Sequence, residues 1–503
     1  MSLLAVLLTS WEFYAALCVI FAVSKVIKWL TDPLRKIPGP TGYPIIGNTL
    51  SYSNVGDRHR ILLEMGRKYG KICKDYSVFT GTTVFINDPE FAKQILVTNS
   101  SRYRRDDVIL KILPALGTGL LTTSGKAHAT QRKTLNPAFS LSSVRKFISI
   151  FNEKGSELLQ FYEKEIEQNK GEPIEMEMMK KFTDMTLDVI GLSAFGYNFN
   201  CVLRGDSKES EASSHILGGS FNILRKSFEE LFPPLKIVPS KERDMLRDAE
   251  EISYGLIEKV IKSRREEMAT HPGETLDKND LLQILITMYE DAGTTISNKD
   301  LFHQLFTFML AGHETTSLTF TWTIFLLAKH QEFQERVKKE VREILNDATD
   351  VTFDDIDKMK TLDECIKETM RLYPVVISYG RMSVKEDKLG PYTFPPGTNF
   401  LINVSALHQN PKYWENPEEF NPDRFSKQAE NDPLFPYYYL PFSRGPRMCI
   451  GYRFALLELK IVLALLLNKF SFKLGKSQPA EIGGQQLLTY RPCPPPVINI
   501  SKS

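Results

Sequence analysis

Along most of the chain, apolar residues recur at three- and four-residue intervals, the period of a helix that buries one face. Read this way, the sequence predicts long helices over roughly 141–168, 174–195, 243–268, 298–330 and 450–469. Period-two alternation of β-branched and aromatic residues is confined to a few short runs. Ile72 to Phe79, a turn at Thr80-Gly81 and Thr82 to Ile86 predict a hairpin, closed by Asn87-Asp88-Pro89. A turn at Phe394-Pro395-Pro396-Gly397 leads into a strand from Asn399 to Val404, and Phe470 to Leu474 and Val497 to Ile500 predict two more. The expected fold is mainly α (α+β), an α-rich body with small peripheral β-sheets.

The N-terminus follows a different pattern. Leu3 to Leu30 is apolar almost throughout, and Lys25, Lys28, Arg35 and Lys36 follow its centre. A secretory signal would carry its basic residues ahead of the apolar run. The reversed order predicts a membrane anchor over 1–30, with the body on the cytosolic side. Glu12 is tolerable if the span begins near Trp11, which leaves about 17 to 19 residues to cross, the short end of the range. Three prolines and two glycines in Lys36-Ile37-Pro38-Gly39-Pro40-Thr41-Gly42-Tyr43-Pro44 cannot continue a helix. We read 31–44 as a basic, proline-rich hinge and 45–503 as the globular body.

Length alone, 503 residues, suggests about three domains, yet no repeat, low-complexity tract or composition break divides the body. Charge is balanced, 63 basic against 61 acidic residues, which argues against the electrostatic footprint of a nucleic-acid binder; any basic docking surface must be local. The six cysteines (Cys18, Cys73, Cys201, Cys365, Cys449, Cys493) form no CxxC pair, so neither a zinc knuckle nor a disulfide framework is encoded. One special cysteine in a reducing compartment is the economical reading.

That cysteine lies in Phe442-Ser443-Arg444-Gly445-Pro446-Arg447-Met448-Cys449-Ile450-Gly451, directly before a helical run. A thiol at a helix N-terminus suits a metal or an electrophile, because the helix end lowers its pKa and its amides can donate to sulfur. Gly445 and Gly451 allow close backbone approach to a flat ligand, and Arg447 offers a charge suited to a carboxylate. These residues match FxxGxRxCxG at every fixed position, and the chain resembles the cytochrome P450 superfamily, eukaryotic microsomal type. The resemblance covers essentially the whole chain.

Further motifs fall in the order this family requires. Glu368 and Arg371 match ExxR and share one helix face. Arg424 in Asn421-Pro422-Asp423-Arg424-Phe425 resembles the PxRF arginine that joins them in a buried triad. Ala311-Gly312-His313-Glu314-Thr315 resembles the oxygen-activation helix. The rival zincin reading HExxH fails because Ser317 stands where the second histidine is required. Arg132 and His128 resemble the WxxxR propionate pair, with histidine in place of tryptophan, and Arg381 stands where many members place another propionate partner. Ala311 occupies the position of a glutamate that bonds covalently to haem in fatty-acid ω-hydroxylating relatives, so no such linkage is expected.

The resemblance implies an α-rich haem fold with haem b, Cys449 as axial ligand of the iron, and Arg447, Arg132, His128, Arg381, Phe442, Gly451 and Ala311 around the cofactor. It assigns proton relay to Glu314, oxygen and water positioning to Thr315, and structural roles to Glu368, Arg371 and Arg424. The implied activity is a monooxygenase of a lipophilic substrate (sterol, fatty acid or xenobiotic) at the endoplasmic reticulum membrane, with O2 as co-substrate. Gly117-Thr118-Gly119 lacks the third glycine of a dinucleotide fingerprint. Electrons are therefore expected from a separate NADPH-cytochrome P450 reductase, with cytochrome b5 as a second donor, docking on Lys126, Lys133, Arg145, Lys146, Arg444 and Arg453. The expected pocket walls are 103–121, Phe306 to Ala311, Val375 to Tyr379 and Leu487 to Tyr490, and 231–238 is a candidate access route through the membrane. A haem-thiolate isomerase or dehydratase acting on a hydroperoxide, and a non-catalytic haem sensor, are the alternatives.

Overall fold

The structure is a computed structural model that describes residues 11–43, 47–48, 58–77, 81–107, 116–204, 212, 216, 238–270, 280–291, 296–346, 348–428, 432–479 and 482–503. The helices that frame the molecule are α1 (Trp11–Thr31), α2 (Arg58–Tyr69), α3 (Gly125–Leu135), α4 (Leu141–Arg145), α5 (Ile148–Gln168), α6 (Met178–Ile190), α7 (Lys241–Thr270), α8 (Asn298–Lys329), α9 (Gln331–Leu345), α10 (Lys360–Leu372) and α11 (Tyr452–Lys469). The strands are β1 (Ile72–Ser77), β2 (Gly81–Ile86), β3 (Tyr103–Arg104), β4 (Ile174–Glu177), β5 (Ser378–Ser383), β6 (Asp387–Leu389), β7 (Tyr392–Phe394), β8 (Asn399–Asn403), β9 (Phe470–Leu474), β10 (Gly483–Gln486), β11 (Tyr490–Cys493) and β12 (Val497–Lys502).

They form a five-stranded sheet of order β1-β2-β8-β5-β3, a three-stranded sheet β4-β12-β9, and the pairs β6-β7 and β10-β11. The β2–β8 pairing is parallel, from Thr83 opposite Asn399 to Ile86 opposite Ile402, and the other pairings in that sheet are antiparallel. The α-rich architecture with small sheets is thus as the hydrophobic pattern indicated. Two predicted helices differ in detail. Residues 174–177 pair with β12 as a strand, because Ile174 and Met176 alternate with glutamates, and the helix starts only at Met178. The helix expected over 141–168 breaks between α4 and α5, where Phe147 turns inward to pack edge-on against Phe454.

Helix α8 runs through the centre. From Leu301 to Ala328 nearly every side chain is buried, so its own hydroxyls cannot reach water. Thr307, Thr315, Thr316, Thr319, Thr321 and Thr323 resolve this by each donating to the carbonyl four residues back. Against α8 lies α6, with Phe182 stacked on Phe320 at 5.2 Å. Gly312 permits the close approach, since a Cβ there would sit 2.7 Å from Ile190 Cδ1.

At the N-terminus, Leu34 and Ile37 are buried in the cluster beneath the five-stranded sheet, and Pro38 accepts a hydrogen bond from the Lys74 amide of β1. Helix α1 turns Val19, Ile20, Val23, Ile27 and Leu30 outward. Among the described residues no helix is long and apolar enough to cross a membrane. In α1 the residues Glu12, Lys25 and Lys28 interrupt the apolar run on which the predicted anchor rested. The expected access segment 231–238 lies, except for Val238, outside the described residues.

The densest polar network sits under α10. Glu368 takes a bidentate pair from Arg371 at 2.7 and 2.8 Å and a third contact from Arg424 Nε at 3.0 Å. Arg371 also donates to the carbonyls of His408, Pro417 and Glu419, and Arg424 to that of Glu415. Both side chains of the Glu368–Arg371 pair are fully buried. A buried pair of this kind organises geometry more than it adds net stability, but removal of one partner strands the other. Arg371→Leu is expected to cost about 3–5 kcal/mol, read as a lower urea midpoint; a midpoint within error of wild type would contradict the assignment.

Candidate active site

A cavity of about 890 Å³ opens between α3, α8, α11 and the five-stranded sheet, near the upper end of the roughly 300–1,000 Å³ usual for small-molecule sites. Cys449 lies on its wall. The preceding loop is coiled by two left-handed residues, Ser443 (φ 60°) and Gly445 (φ 74°), and closed by the Cys449 amide donating to Phe442 O at 2.9 Å. Gly445 is required twice over: by its φ, and because a Cβ would sit 2.0 Å from Leu96 O. The surface that Cys449 exposes opens into the cavity, and the sulfur is otherwise surrounded by protein. Burial pushes the thiol pKa up, while the Gly451 amide at the start of α11 and the Arg132 charge pull it down. The expectation that the helix end would lower the pKa is therefore met only in direction of that one contact; desolvation wins until a cation supplies the missing charge.

Around the same cavity stand Arg132 and His128 of α3, Arg381 of β5, Arg447 of the cysteine loop, and Arg105, which sequence reasoning missed. Arg132 donates to Met448 O at 2.6 Å and Arg447 to Thr123 O and Ser124 Oγ, which knits the cysteine loop to α3. Burial, together with the neighbouring arginines, depresses the guanidinium pKa values of Arg381 and Arg447 to about 10. The His128 imidazole is pushed down to about 4, first by burial and then by Arg447, Arg132, Arg381 and Arg105. It is thus neutral near pH 7 and retains an N–H to donate. The nearest acid in the cluster is Asp106, which flanks Arg105 and Arg381. The Arg105 Nε is buried without a hydrogen-bond partner. So much converging positive charge, one donor orphaned, fits a bound group that carries carboxylates. Nothing in local spacing distinguishes Arg105 from its exposed basic neighbours; only the fold turns it inward.

Opposite, α8 presents Ala311 and Thr315 to the cavity, and Phe442 and Gly451 line it beside Cys449. Thr315 donates to Ala311 O at 2.8 Å, which leaves its lone pairs to accept from a cavity ligand. Glu314 does not join them. Its carboxylate is buried behind the wall, where Oε1 accepts from Thr489 Oγ1 at 2.9 Å and from Arg491 Nη2 at 2.5 Å. The predicted wall regions do converge here: Leu120 and Leu121, Thr307 to Ala311, Val375 to Tyr379, and Leu487 to Thr489. Strand residues Phe85 and Phe400 add a side that the sequence did not announce.

A second missed residue is His408, fully buried between α10 and the cysteine loop. Its Nδ1 donates to Met370 O at 3.2 Å, its Nε2 accepts from the Leu440 amide at 2.7 Å, and its carbonyl accepts from Arg371. The Glu368–Arg371–Arg424 network is thereby joined to the segment that carries Cys449.

With this geometry in place, comparison with known proteins identifies the class. The cytochrome P450 family model matches residues 37–497. Cytochrome P450 4c21 of Blattella germanica is 32% identical over 456 residues, 88% of either chain. Cytochrome P450 3A5 of Homo sapiens is 31% identical over 488 residues, 93% of either chain, and cytochrome P450 4A24 of Sus scrofa is 29% identical over 455 residues, 88% of this chain and 87% of that one. The chain belongs to the cytochrome P450 family, whose cofactor is haem, and is a monooxygenase of that family.

Burial holds His408 near a pKa of about 3 and His59 and His128 near about 4, against 6.5 when unfolded. A histidine kept neutral in the fold binds its proton only on unfolding, so stability is complete above pH 6.5 and is lost as pH falls below it. His408→Gln, which can keep both hydrogen bonds, should lower the proton uptake on unfolding by about one. Urea midpoints measured from neutral pH downward give that slope; an unchanged slope would show that His408 is not the buried neutral group described.

Proposed function

We propose that this P450 binds haem b through Cys449 and inserts one oxygen atom of O2 into a lipophilic small molecule, a sterol, fatty acid or foreign compound. Electrons come from a separate NADPH-cytochrome P450 reductase, with cytochrome b5 as a second donor. The observation that carries this reading is one largely apolar cavity onto which the Cys449 sulfur, the Thr315 side chain and a cluster of four arginines with one neighbouring carboxylate, Asp106, all open.

Haem, when bound, supplies oxygen activation and electron acceptance. The chain supplies the rest. Cys449 as thiolate would hold the haem iron, its donation tempered by the Gly451 amide. Arg105, Arg132, Arg381 and Arg447 pair with the cofactor's carboxylates, and His128 adds a neutral N–H donor where relatives carry tryptophan. Ala311, Phe442 and Gly451, which line the cavity, would bound the space that receives the cofactor. Thr315 holds a water by accepting a hydrogen bond from it, and Glu314 is the acid from which the site is re-supplied. The walls exclude bulk water, which keeps these hydrogen bonds strong.

Lys126, Lys133, Arg145, Lys146 and Arg453 are exposed around the cysteine loop and Arg444 is half-buried beside them, a basic face suited to an acidic electron donor. The outward apolar side of α1 favours attachment to the endoplasmic reticulum membrane, with the body in the cytosol.

The reduced protein with carbon monoxide should give the thiolate-type Soret band, and Cys449→Ala should lose it; a wild-type band in that variant would remove Cys449 as ligand. Arg105→Leu should release haem to apomyoglobin about tenfold faster, as expected for loss of a charge-assisted contact worth about 1.5 kcal/mol. Thr315→Ala should keep haem yet divert reducing equivalents to hydrogen peroxide. Equal yields of product per NADPH in Thr315→Ala and wild type would exclude Thr315, and turnover of a hydroperoxide without NADPH would favour the isomerase reading.

A further inference from the structure

The placement of Glu314 is the feature that the reading above does not absorb. The acid sits one residue before Thr315, yet its carboxylate turns away from the cavity to the β10–β11 hairpin. Both of its partners belong to that hairpin. Thr489 lies on the connection between the strands and lines the cavity, as do Leu487 and Leu488, so the segment that holds the acid is also a wall against which a guest rests. The hairpin is held mainly at Tyr490, whose carbonyl accepts from Trp322 Nε1 at 3.5 Å and whose ring lies 4.8 Å from that of His59. The Tyr490 amide donates to Val375 O at 2.8 Å, the Tyr490 ring stacks on Trp322 at 5.9 Å, and the buried Arg491 Nε has no partner, so Nη2 alone carries the contact to Glu314.

We infer that Arg491 is a positioning residue that keeps Glu314 behind the cavity wall until a guest presses on Leu487–Thr489, so that proton supply is tied to occupancy. This rests on the reading of Glu314 as the proton-relaying acid. A guest seated against Thr489 shifts the connection, the Thr489 and Arg491 contacts to Oε1 open together, and the carboxylate becomes free to swing toward the Thr315 side. A charge released from a buried partner does not stay where it is; it moves to water or to the next donor. Without a guest the pair stays closed and reducing equivalents are not wasted. Arg491 touches neither guest nor cofactor and acts only through Glu314.

The test uses the full-length holoenzyme reconstituted with NADPH reductase, with retention of the thiolate-type band as the check on folding. Arg491→Gln should raise guest-free NADPH oxidation about tenfold and lower product per NADPH, less than the roughly 10²–10⁴-fold attributed to one positioned acid or base because Arg491 acts only through Glu314. Arg491→Lys should restore most of the control. The excess oxidation should vanish in the double variant Arg491→Gln/Glu314→Gln, which a general loosening of the hairpin would not produce. Independently of turnover, hydrogen exchange of a peptide covering 483–493 should be faster in Arg491→Gln and in Glu314→Gln alike, and the acceleration should not add in the double variant. Guest-free oxidation at the wild-type rate in Arg491→Gln, or excess oxidation that persists in the double variant, would overturn the inference while leaving Glu314 as the acid. Wild-type turnover and coupling in Glu314→Gln would instead overturn the role of Glu314, and the inference with it.

Discussion

Cys449 can face the cavity only because a buried charge cluster some distance away holds the backbone that leads to it. Glu368 is surrounded by Arg371, Arg424 and the Asn421 amide, and the two arginines spend their remaining donors on carbonyls of the 408–419 segment. None of these groups can reach water, so each is satisfied in one arrangement or not at all. His408 extends the constraint. It ties the end of α10 to the Leu440 amide, nine residues before Cys449, and Tyr379 donates to the Leu440 and Pro441 carbonyls from β5. The cysteine loop is thus clamped from a helix and from a sheet before its own left-handed turns begin.

Cationic groups gather beside the cysteine loop, around the same cavity. Arg105, Arg132, Arg381 and Arg447 come from four separate stretches of chain, and each weakens its neighbours' hold on a proton. A cluster of this sign disfavours the empty fold and favours the occupied one. A bound group that carries carboxylates would relieve this repulsion and so stabilise the fold. His128 fits within the cluster because burial among arginines keeps it neutral, which a protonated histidine could not be without adding to the repulsion.

How far the sequence could be read differs by feature. The Cys449 loop, the Glu368–Arg371 pair and Thr315 were legible because each is a local pattern of residue types at fixed spacing: a helix brings i and i+3 together, and glycines mark the turns. The strand at Ile174–Glu177 was mistaken for helix because its pairing partner lies more than 300 residues away, beyond the reach of local periodicity. Arg105, His408 and Arg491 carry no local signature at all. An arginine in a loop is ordinarily a surface residue, and only the packing of distant elements decides that these are not.

By itself, the sequence determined the helical character of the body, the confinement of strands to a few short runs, the glycine-flanked cysteine loop ahead of a helix and the acid–alcohol pair on the central helix. These follow from period and composition, which are properties of neighbouring residues. The tertiary structure decided which way those groups face. On one helix, Thr315 and Glu314 are separated by about 100° of rotation, so which of the two faces the cavity depends on how the helix is turned and on what each side chain meets. The Arg491 and Thr489 side chains, brought from the far end of the chain, settle that Thr315 looks in and Glu314 looks out.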